Sequence, residues 1–325
     1  DGSALGGRLM RILVASPIDP ATLAALRADH DVVERLGASE DGLAEVVTDR
    51  QVVIFRSGVS ISRRVLDAAP ALRALVRAGS GLDNLDLDTV QARGISLHRV
   101  PGPGAQAVAE LTFALFLGLA RRVVVADQLL RRGHWAKSEL VGVNLTEKTL
   151  GIVGVGSIGG RVGALGRAWG MNVVGCVDHW SEERRLQLAT DGIELVPDCA
   201  TVLAAADFAS IHVPLNDATR GMIGDAALAR MRPTAYLVNI ARGGVVDEMA
   251  LHRALVEERL AGAALDVHVR EGEGKISPLA ELPNVILTPH IGAATSDAQR
   301  QIGVQIVEII AGLARDQERT QVVPA

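Results

Sequence analysis

The sequence predicts an α/β protein made of two doubly wound, parallel-sheet domains. Short runs rich in β-branched residues alternate with helical patterns along most of the chain. Alternation of this kind is typical of parallel strands joined by helical crossovers. The chain has 325 residues, a length at which one hydrophobic core usually divides into two. Only the second half carries a glycine fingerprint, which indicates that the two domains differ in role.

The first strand–helix series occupies about the first hundred residues. The run Val52-Val53-Ile54-Phe55 is continuously apolar, as expected for a parallel strand that is buried on both faces. Helical patterns lie between such runs, for example at 20–28 and 62–69. We predict strands at 11–15, 31–36, 51–55, 72–77 and 95–100.

A second series follows the cluster Pro101-Gly102-Pro103-Gly104 and begins with one long predicted helix, 105–132. The amphipathic stripe of 296–315 predicts a final helix. The Pro/Gly cluster and the Pro289 region are the hinge candidates. They divide the chain into an outer domain, 1–101 with 294–325, and an inserted domain, 102–293. The inserted domain has predicted strands at 149–155, 171–178, 207–213, 235–240, 262–267 and 285–288.

Composition and charge exclude several classes of protein. The net charge is −5, which argues against nucleic acid as the main partner because phosphate binding needs a basic face. No apolar run approaches the roughly 20 residues of a membrane span. Cys176 and Cys199 lack metal or redox spacing. No signal peptide is evident, so we expect a cytoplasmic protein.

A glycine-rich loop is the first chemical signal. The sequence Gly154-Val155-Gly156-Ser157-Ile158-Gly159 follows a predicted strand and opens a helix. Gly154 permits the tight turn, Gly156 lets the backbone approach a pyrophosphate, and Gly159 lets helix and strand pack closely. The amides of Ser157 and Ile158 lie at the helix N-terminus, which favours an anion. A purely structural turn is the alternative interpretation.

Asp178 ends the next predicted strand, near the offset at which a carboxylate binds the ribose hydroxyls of a dinucleotide. Such a carboxylate repels a 2′-phosphate, so we predict NAD as the cofactor. His179, Arg184 and Arg185 follow closely and weaken that preference. A solvated helix face is the ordinary interpretation of the two arginines.

Three later segments predict a reaction centre, because each places a polar residue at or shortly after a strand end. Arg242 could clamp a carboxylate with its planar guanidinium. His290 could exchange the proton that accompanies hydride transfer. Glu271 could fix the histidine ring and favour its charged form. Each residue alone has a structural interpretation, but together they indicate a site.

The chain resembles the D-isomer-specific 2-hydroxyacid dehydrogenase family over about residues 10–315. The resemblance implies a Rossmann cofactor domain inserted into a flavodoxin-like substrate domain. It also implies hydride transfer between NAD(H) and carbon 2 of a small D-2-hydroxy acid or 2-keto acid. The motifs that carry it are the loop 77–84, the glycine loop 154–159, and the segments 239–244, 265–271 and 288–290.

By this resemblance, Arg242 binds the substrate carboxylate and carbonyl, His290 is the acid/base, and Glu271 pairs with His290. The backbone amides of Ser80 and Gly81 are expected to hold the carboxylate as well.

The resemblance also implies the remaining cofactor contacts. Asp266 is expected to hold the nicotinamide amide, and Ala241 to lie beside the cofactor. The wall of the adenine pocket is expected at His212, Val213 and Pro214.

Two departures from the family concern the loop that carries Glu271. His268 stands where the family usually has an aromatic residue, and Gly272 where it usually has proline. Both put the placement of Glu271 in question. A metal site formed by His268 and His290 is an alternative, but hydride transfer with these residues needs no metal, and we predict none.

The segments around Arg56 and Arg77 resemble those of the phosphoglycerate dehydrogenases, in which arginines meet a phosphorylated substrate. Both residues follow predicted strands and suit a phosphate; a surface position for Arg56 and a salt bridge for Arg77 are the alternatives. D-3-phosphoglycerate and 3-phosphohydroxypyruvate are therefore the predicted substrates. The chain ends near the return helix, so we expect no regulatory domain of the kind that longer members carry.

Other functions stay open within the superfamily. A glyoxylate/hydroxypyruvate reductase is the alternative enzyme. Formate dehydrogenase fits less well, because its histidine pairs with glutamine where Glu271 stands here. An NAD-sensing corepressor, which binds the nucleotide without turnover, is the alternative of another class.

The predicted helix 105–132, with Trp135 just beyond it, resembles the family's dimerisation arm. Phe113, Phe116 and Leu117 lie on one helical stripe and are expected to be buried. Burial within the monomer would account for the stripe, but we predict a homodimer.

Overall fold

Two parallel sheets organise the structure, a computed structural model that describes residues 9–79, 81–100 and 102–321. By their internal contacts the residues form two units, Asp1–Gly104 with Ala293–Ala325, and Ala105–Gly292. The sequence-based boundaries, 101/102 and 293/294, lie within three residues of these limits.

Unit 1 is a five-stranded parallel sheet with helices on both faces. Its strand order is β2-β1-β3-β4-β5, the flavodoxin-like order. The elements are β1 Arg11–Val14, α1 Pro20–Asp29, β2 Asp31–Glu34, α2 Glu40–Val46, β3 Val52–Phe55, α3 Arg63–Asp67, β4 Ala74–Arg77, α4 Leu87–Ala92 and β5 Ser96–Arg99, with the last helix of the chain, Ser296–Gln321, completing the unit.

The alternation of side chains along the central strands builds two cores in unit 1. Leu13, Val53 and Leu75 pack on the face that contains Leu43 of α2 and Leu66 of α3. The neighbouring strand positions turn to the other face, where the last helix supplies its apolar stripe, Ile302, Ile306 and Ile310. Period-two alternation within continuously apolar strands explains how one short run serves both layers.

Unit 2 is a seven-stranded parallel sheet. Its elements are α5 Gly104–Ala120, α6 Val123–Arg131, β6 Thr149–Val153, α7 Ser157–Ala168, β7 Asn172–Cys176, α8 Glu182–Thr190, β8 Glu194–Leu195, α9 Cys199–Ala205, β9 Phe208–Ile211, α10 Asp225–Leu228, β10 Tyr236–Asn239, α11 Glu248–Val256, β11 Gly262–Leu265 and β12 Val285–Leu287; the last helix of unit 1 is α12. The strand order is β12-β11-β10-β9-β6-β7-β8. Numbered within the unit, this is the Rossmann order 3-2-1-4-5-6 with a seventh strand added. The predicted fold class is confirmed.

The predicted single helix 105–132 is wrong: the structure contains two helices, α5 and α6. Arg122 separates the two helices, and its backbone is in the left-handed region, at φ 52°. Its guanidinium donates to the carbonyl of Glu139 at 2.8 Å, and the amide of Val143 donates to the carbonyl of Ala120 at 2.9 Å. The returning segment thus takes up a carbonyl at the end of α5, which ends the helix there.

The aromatic stripe of α5 packs inside unit 2. Phe113 and Phe116 are buried, whereas Leu117 is only partly buried. The rings of Phe116 and Phe208 lie edge to face at 5.4 Å, and Phe208 stacks on Tyr236 at 5.1 Å. Burial within the chain therefore accounts for this stripe, and a dimer needs other support. Within the described part of the chain, no helix is both long and apolar enough to cross a membrane.

Candidate active site

The glycine loop lies where the strand order of unit 2 reverses, between β6 and β9. Ligands of open α/β sheets bind at such switch points, outside the carboxyl ends of the strands. Gly154 has φ +96°. A Cβ there would lie 2.9 Å from both the carbonyl oxygen of His212 and Cγ1 of Val213. The loop after β6 and the segment after β9 are therefore in contact.

The other two glycines of the fingerprint face different surroundings. A Cβ at Gly159 would overlap the carbonyl oxygen of Gly154, so helix α7 can approach β6 only without a side chain at this position. Gly156 has open space where its Cβ would stand. It immediately precedes α7, whose first amides, including those of Ser157 and Ile158, lack intrahelical acceptors. The loop thus fits the pyrophosphate of a dinucleotide.

Asp178 lies just after β7, with its side chain 96% exposed. His179 Nε2 lies 3.7 Å from its carboxylate. Arg185 pairs with Glu182 on the surface of α8, as a solvated face predicts. Arg184 differs from that expectation, because its guanidinium donates to the carbonyl of Val155 at 2.9 Å and so binds the glycine loop. The sequence pattern of a charged helix gave no signal for this contact.

The expected adenine wall is built around an uncharged histidine. His212 Nε2 lies 3.0 Å from the hydroxyl of Ser210, and its Nδ1 is buried without a partner among the described residues. Burial lowers the pKa of His212 to about 3. Val213 is partly buried and Pro214 is exposed. The segment therefore presents a neutral surface beside the glycine loop, which suits an aromatic base.

The loop that carries Arg242 is shaped by Asn239, which sequence reasoning had not assigned a role. Buried at the end of β10, Asn239 accepts from the amide of Ala241 at 3.1 Å. It also donates to the carbonyl of Arg242 at 3.0 Å. Arg242 in turn donates to the carbonyl of Ala241 at 2.6 Å. This turn fixes the guanidinium at the carboxyl end of the strand.

Glu271 and His290 form a direct pair. His290 Nδ1 lies 2.9 Å from Oε2 and 3.1 Å from Oε1 of Glu271. The amide of His268 also donates to Oε1, at 3.2 Å. Burial raises the pKa of Glu271, but the hydrogen bond and charge of His290, helped by His268, outweigh burial and leave the pKa below its usual value. The carboxylate therefore stays ionised and orients the imidazole, despite the departures at His268 and Gly272.

Asp266 holds the turn on which His290 stands. Its buried carboxylate accepts from Thr288 Oγ1 at 2.6 Å and from the amides of Ile291 and Gly292 at 2.8 Å each. Its carbonyl accepts from the amide of His290, also at 2.8 Å. These contacts give Asp266 a role in holding the turn, and its expected contact with the nicotinamide amide stays a prediction. Among the residues described, no cluster of three or more His, Cys, Asp or Glu could hold a metal ion.

The residues expected to bind substrate in unit 1 lie at the carboxyl ends of its strands. Arg56 follows β3 at the switch point between β1 and β3, where its amide donates to Ser16 Oγ at 2.9 Å. Its side chain is half-buried, and burial lowers its pKa. No hydrogen bond or ion pair joins this guanidinium to another described residue. Of the expected carboxylate-binding pair, Gly81 is described, whereas Ser80 lies outside the described residues.

Arg77 lies at the end of β4 and is bound by the segment that follows it. It is only 3% exposed, and its guanidinium donates to the carbonyls of Gly81 and Ala78 at 2.9 and 3.3 Å. It also lies 5.7 Å from the centre of the Phe55 ring. These contacts hold Ala78 and Gly81 from inside unit 1. The expected contact of Arg77 with a phosphate stays a prediction.

The two adjacent glycines of α7 allow a matched test of the nucleotide loop. Gly159→Ala should weaken NADH binding by at least about tenfold, because its methyl group pushes α7 away from β6. Gly160→Ala should bind normally, since a Cβ there meets nothing within 4 Å. Fluorescence titration with NADH measures both, and equal affinities in the two variants would contradict this account of the loop.

The lowered pKa of Glu271 predicts a pH-dependent contribution to stability. The contribution is present above the unfolded-state pKa, near 4.3, and is lost as the pH falls through the lower folded-state value. Glu271→Gln should therefore lower the melting temperature more at about pH 6 than at about pH 3. Glu273→Gln, exposed in the same loop, is the control. A pH-independent difference between wild type and Glu271→Gln would count against the ion pair.

Comparisons with known proteins agree with this geometry. Residues 113–292 match the model of the D-isomer specific 2-hydroxyacid dehydrogenase NAD-binding domain. A D-3-phosphoglycerate dehydrogenase from Methanocaldococcus jannaschii is 38% identical over 315 residues, 97% of this chain and 59% of that relative. The chain therefore spans less than two thirds of that relative's length.

Solved structures extend the likeness to both units. D-lactate dehydrogenase from Aquifex aeolicus, solved with NAD and lactic acid, has a TM-score of 0.82 and 27% identity; the match covers 97% of this chain and all of that one. A glyoxylate reductase from Paecilomyes thermophila has a TM-score of 0.83 and 28% identity, and the match covers 94% and 95% of the two chains. With the family model spanning more than half of its length, the chain belongs to the D-isomer specific 2-hydroxyacid dehydrogenase family.

Proposed function

We propose that this chain is an NAD-dependent dehydrogenase that interconverts a D-2-hydroxy acid and the corresponding 2-keto acid. The observation that carries the proposal is the Glu271–His290 pair at 2.9 Å. Glu271 follows β11, the neighbour of β10 that ends before Arg242, and His290 follows β12, on the other side of β11. An oriented imidazole and a guanidinium at the carboxyl edge of one sheet are the two groups that a 2-keto acid requires.

The proposed chemistry divides between two side chains. Arg242 binds the substrate carboxylate and polarises the C2 carbonyl, because its planar donors match both oxygens. The Nε2 atom of His290 delivers a proton to the carbonyl oxygen during reduction and removes it during oxidation. Glu271 holds Nδ1, which fixes the ring orientation and stabilises the imidazolium.

Bound NAD(H) would accept or supply the hydride at the nicotinamide. The glycine loop would hold its pyrophosphate, and Asp178 the adenosine ribose. An exposed carboxylate at this position repels a 2′-phosphate, which supports NAD rather than NADP.

A phosphorylated substrate is the finer part of the proposal, with 3-phosphohydroxypyruvate and D-3-phosphoglycerate as the pair. Its support is Arg56, a half-buried guanidinium at the switch point of unit 1. An anion there would offset the cost of burying this charge. The relative from M. jannaschii bears the name of this activity. Arg77 supports the proposal only indirectly, by shaping the neighbouring loop.

A glyoxylate/hydroxypyruvate reductase is the second candidate. It is favoured by the likeness to the glyoxylate reductase from P. thermophila. A comparison of 3-phosphohydroxypyruvate, hydroxypyruvate and glyoxylate with NADH separates the two enzymes. If the protein binds NADH and reduces none of them or any other 2-keto acid, a nucleotide-sensing protein such as a corepressor is the better interpretation.

A homodimer forms part of the proposal. None of the nine residues of α6 is buried, although three valines and two leucines lie in it. Other apolar side chains are exposed in the segment that follows: Trp135 is 77% exposed and Val141 is 81% exposed. An apolar surface of this kind needs a partner, and a second copy of the chain is the partner we propose. Both cysteines are free, which suits the proposed cytoplasmic location.

His290→Ala should lower kcat by about 10²- to 10⁴-fold while the Kd for NADH changes by less than about twofold. The reason is that the acid/base is lost while the nucleotide contacts persist. Steady-state rates and NADH titration measure the two effects, with His252→Ala on α11 as the control. A parallel loss of NADH affinity would contradict the role given to His290.

Arg56→Gln should raise KM for 3-phosphohydroxypyruvate by at least about tenfold, as expected for the loss of a charged hydrogen bond. KM for hydroxypyruvate should change little, because that substrate lacks the phosphate. Arg315→Gln, exposed on α12, is the matched control. Equal effects of Arg56→Gln on both substrates would remove the support for a phosphorylated substrate.

Val141→Asp should weaken the dimer by at least about tenfold, because it buries a charge in the proposed interface. Ile276→Asp, at a residue 82% exposed outside this segment, should leave the dimer intact. Sedimentation equilibrium over a concentration series measures both, and a wild-type protein that sediments as a monomer refutes the dimer.

A further inference from the structure

The ring of His268 links two of the loops that carry the reaction centre. Its Nε2 lies 3.0 Å from the carbonyl oxygen of Thr288, two residues before His290. Because a carbonyl only accepts, Nε2 carries the proton and the ring is the donor. This hydrogen bond joins the loop after β11 to the residue that follows β12.

The backbone of His268 contacts the loops that carry Glu271 and Arg242. The amide of His268 donates to Glu271 Oε1 at 3.2 Å. A Cβ at Gly243 would overlap the carbonyl of His268, so the Arg242 loop packs directly against this peptide. The next amide, that of Val269, donates to the buried carboxylate of Glu248 at 2.7 Å. One residue therefore touches the segments of Arg242, Glu271 and His290.

The other ring nitrogen gives a second, independent observation. Nδ1 of His268 is buried and has no hydrogen-bond partner among the described residues. A buried acceptor without a donor is unfavourable, and an apolar ring of similar size would avoid that cost. The histidine is therefore not explained by packing, and the bond from its Nε2 is the feature that an apolar ring could not supply.

We propose that His268 is a positioning residue, which sets the distance between Glu271 and His290 through its ring bond to the Thr288 carbonyl. The proposal rests on the proposed dehydrogenase function. His268 does not exchange protons with substrate in this scheme, since one ring nitrogen donates to the backbone and the other is buried. It acts by keeping Glu271 and His290 within hydrogen-bonding distance of each other.

Two substitutions separate the hydrogen bond from the shape of the ring. His268→Phe keeps a ring of similar size but has no donor. His268→Gln keeps a donor close to the position of Nε2. Loss of alignment in the pair should lower kcat of the Phe variant by about 10- to 100-fold. The Gln variant should retain kcat within about threefold, while KM and the Kd for NADH stay near wild type in both.

A double-mutant cycle tests whether the effect acts through the acid/base pair. In a Glu271→Ala background, His268→Phe should lower kcat much less than it does in wild type, because the contact that it positions is already gone. Additive losses would overturn the proposal, and so would equal kcat values for the Phe and Gln variants. A Phe variant that simply unfolds would reveal itself by loss of NADH binding, and His268→Leu, which also lacks the donor, then replaces it in the comparison with His268→Gln and in the cycle.

A readout without turnover keeps this proposal separate from the proposed function. The proton on His290 Nδ1, hydrogen-bonded to Glu271, should give a low-field NMR signal at acidic pH. The signal should persist in His268→Gln and broaden or disappear in His268→Phe. If wild type reduces no 2-keto acid, the proposed function fails, while the signal still tests the role of His268. An unchanged signal in the Phe variant overturns that role.

Discussion

The buried carboxylate of Asp266 is the constraint on which the rest of the site depends. His290 occupies the left-handed region at φ 54°, a conformation that is unfavourable for a residue with a side chain. It persists because Asp266 draws one hydroxyl and two amides of the segment 288–292 onto its oxygens. A buried charge requires such donors. The same interaction therefore satisfies the carboxylate and turns the imidazole toward Glu271.

The parallel sheets explain why so much could be predicted from the sequence. A strand that is buried on both faces appears in the sequence as a short apolar run. Residues that bind ligands follow the carboxyl ends of such strands. Arg242 and His290 could therefore be placed from strand ends alone. The two-residue strand β8 is too short to leave such a pattern. The break at Arg122 depends on contacts with residues 139 and 143, which helical periodicity does not record.

Side-chain partners were harder to predict than backbone positions. Arg77 and Asp266 were both expected to face ligands, yet each bonds to a loop of its own unit. The charge of these residues can be read from the sequence, but the backbone conformation that brings partner groups around them cannot. Asn239, Arg184 and His268 show the converse: each makes a contact that supports the site, and the sequence predicts none of those contacts.

The glycine loop restricts how the cofactor site can change over time. At Gly154 the obstacle to a side chain includes the carbonyl of His212, and at Gly159 it is the carbonyl of Gly154 itself. Backbone atoms cannot be made smaller by a second substitution, so neither position has a compensating partner. Asp178, by contrast, projects into solvent. Preference between NAD and NADP can thus evolve by single substitutions near Asp178. The glycine loop that would hold the pyrophosphate cannot change in this way at Gly154 or Gly159, because main-chain atoms leave no room for a side chain there.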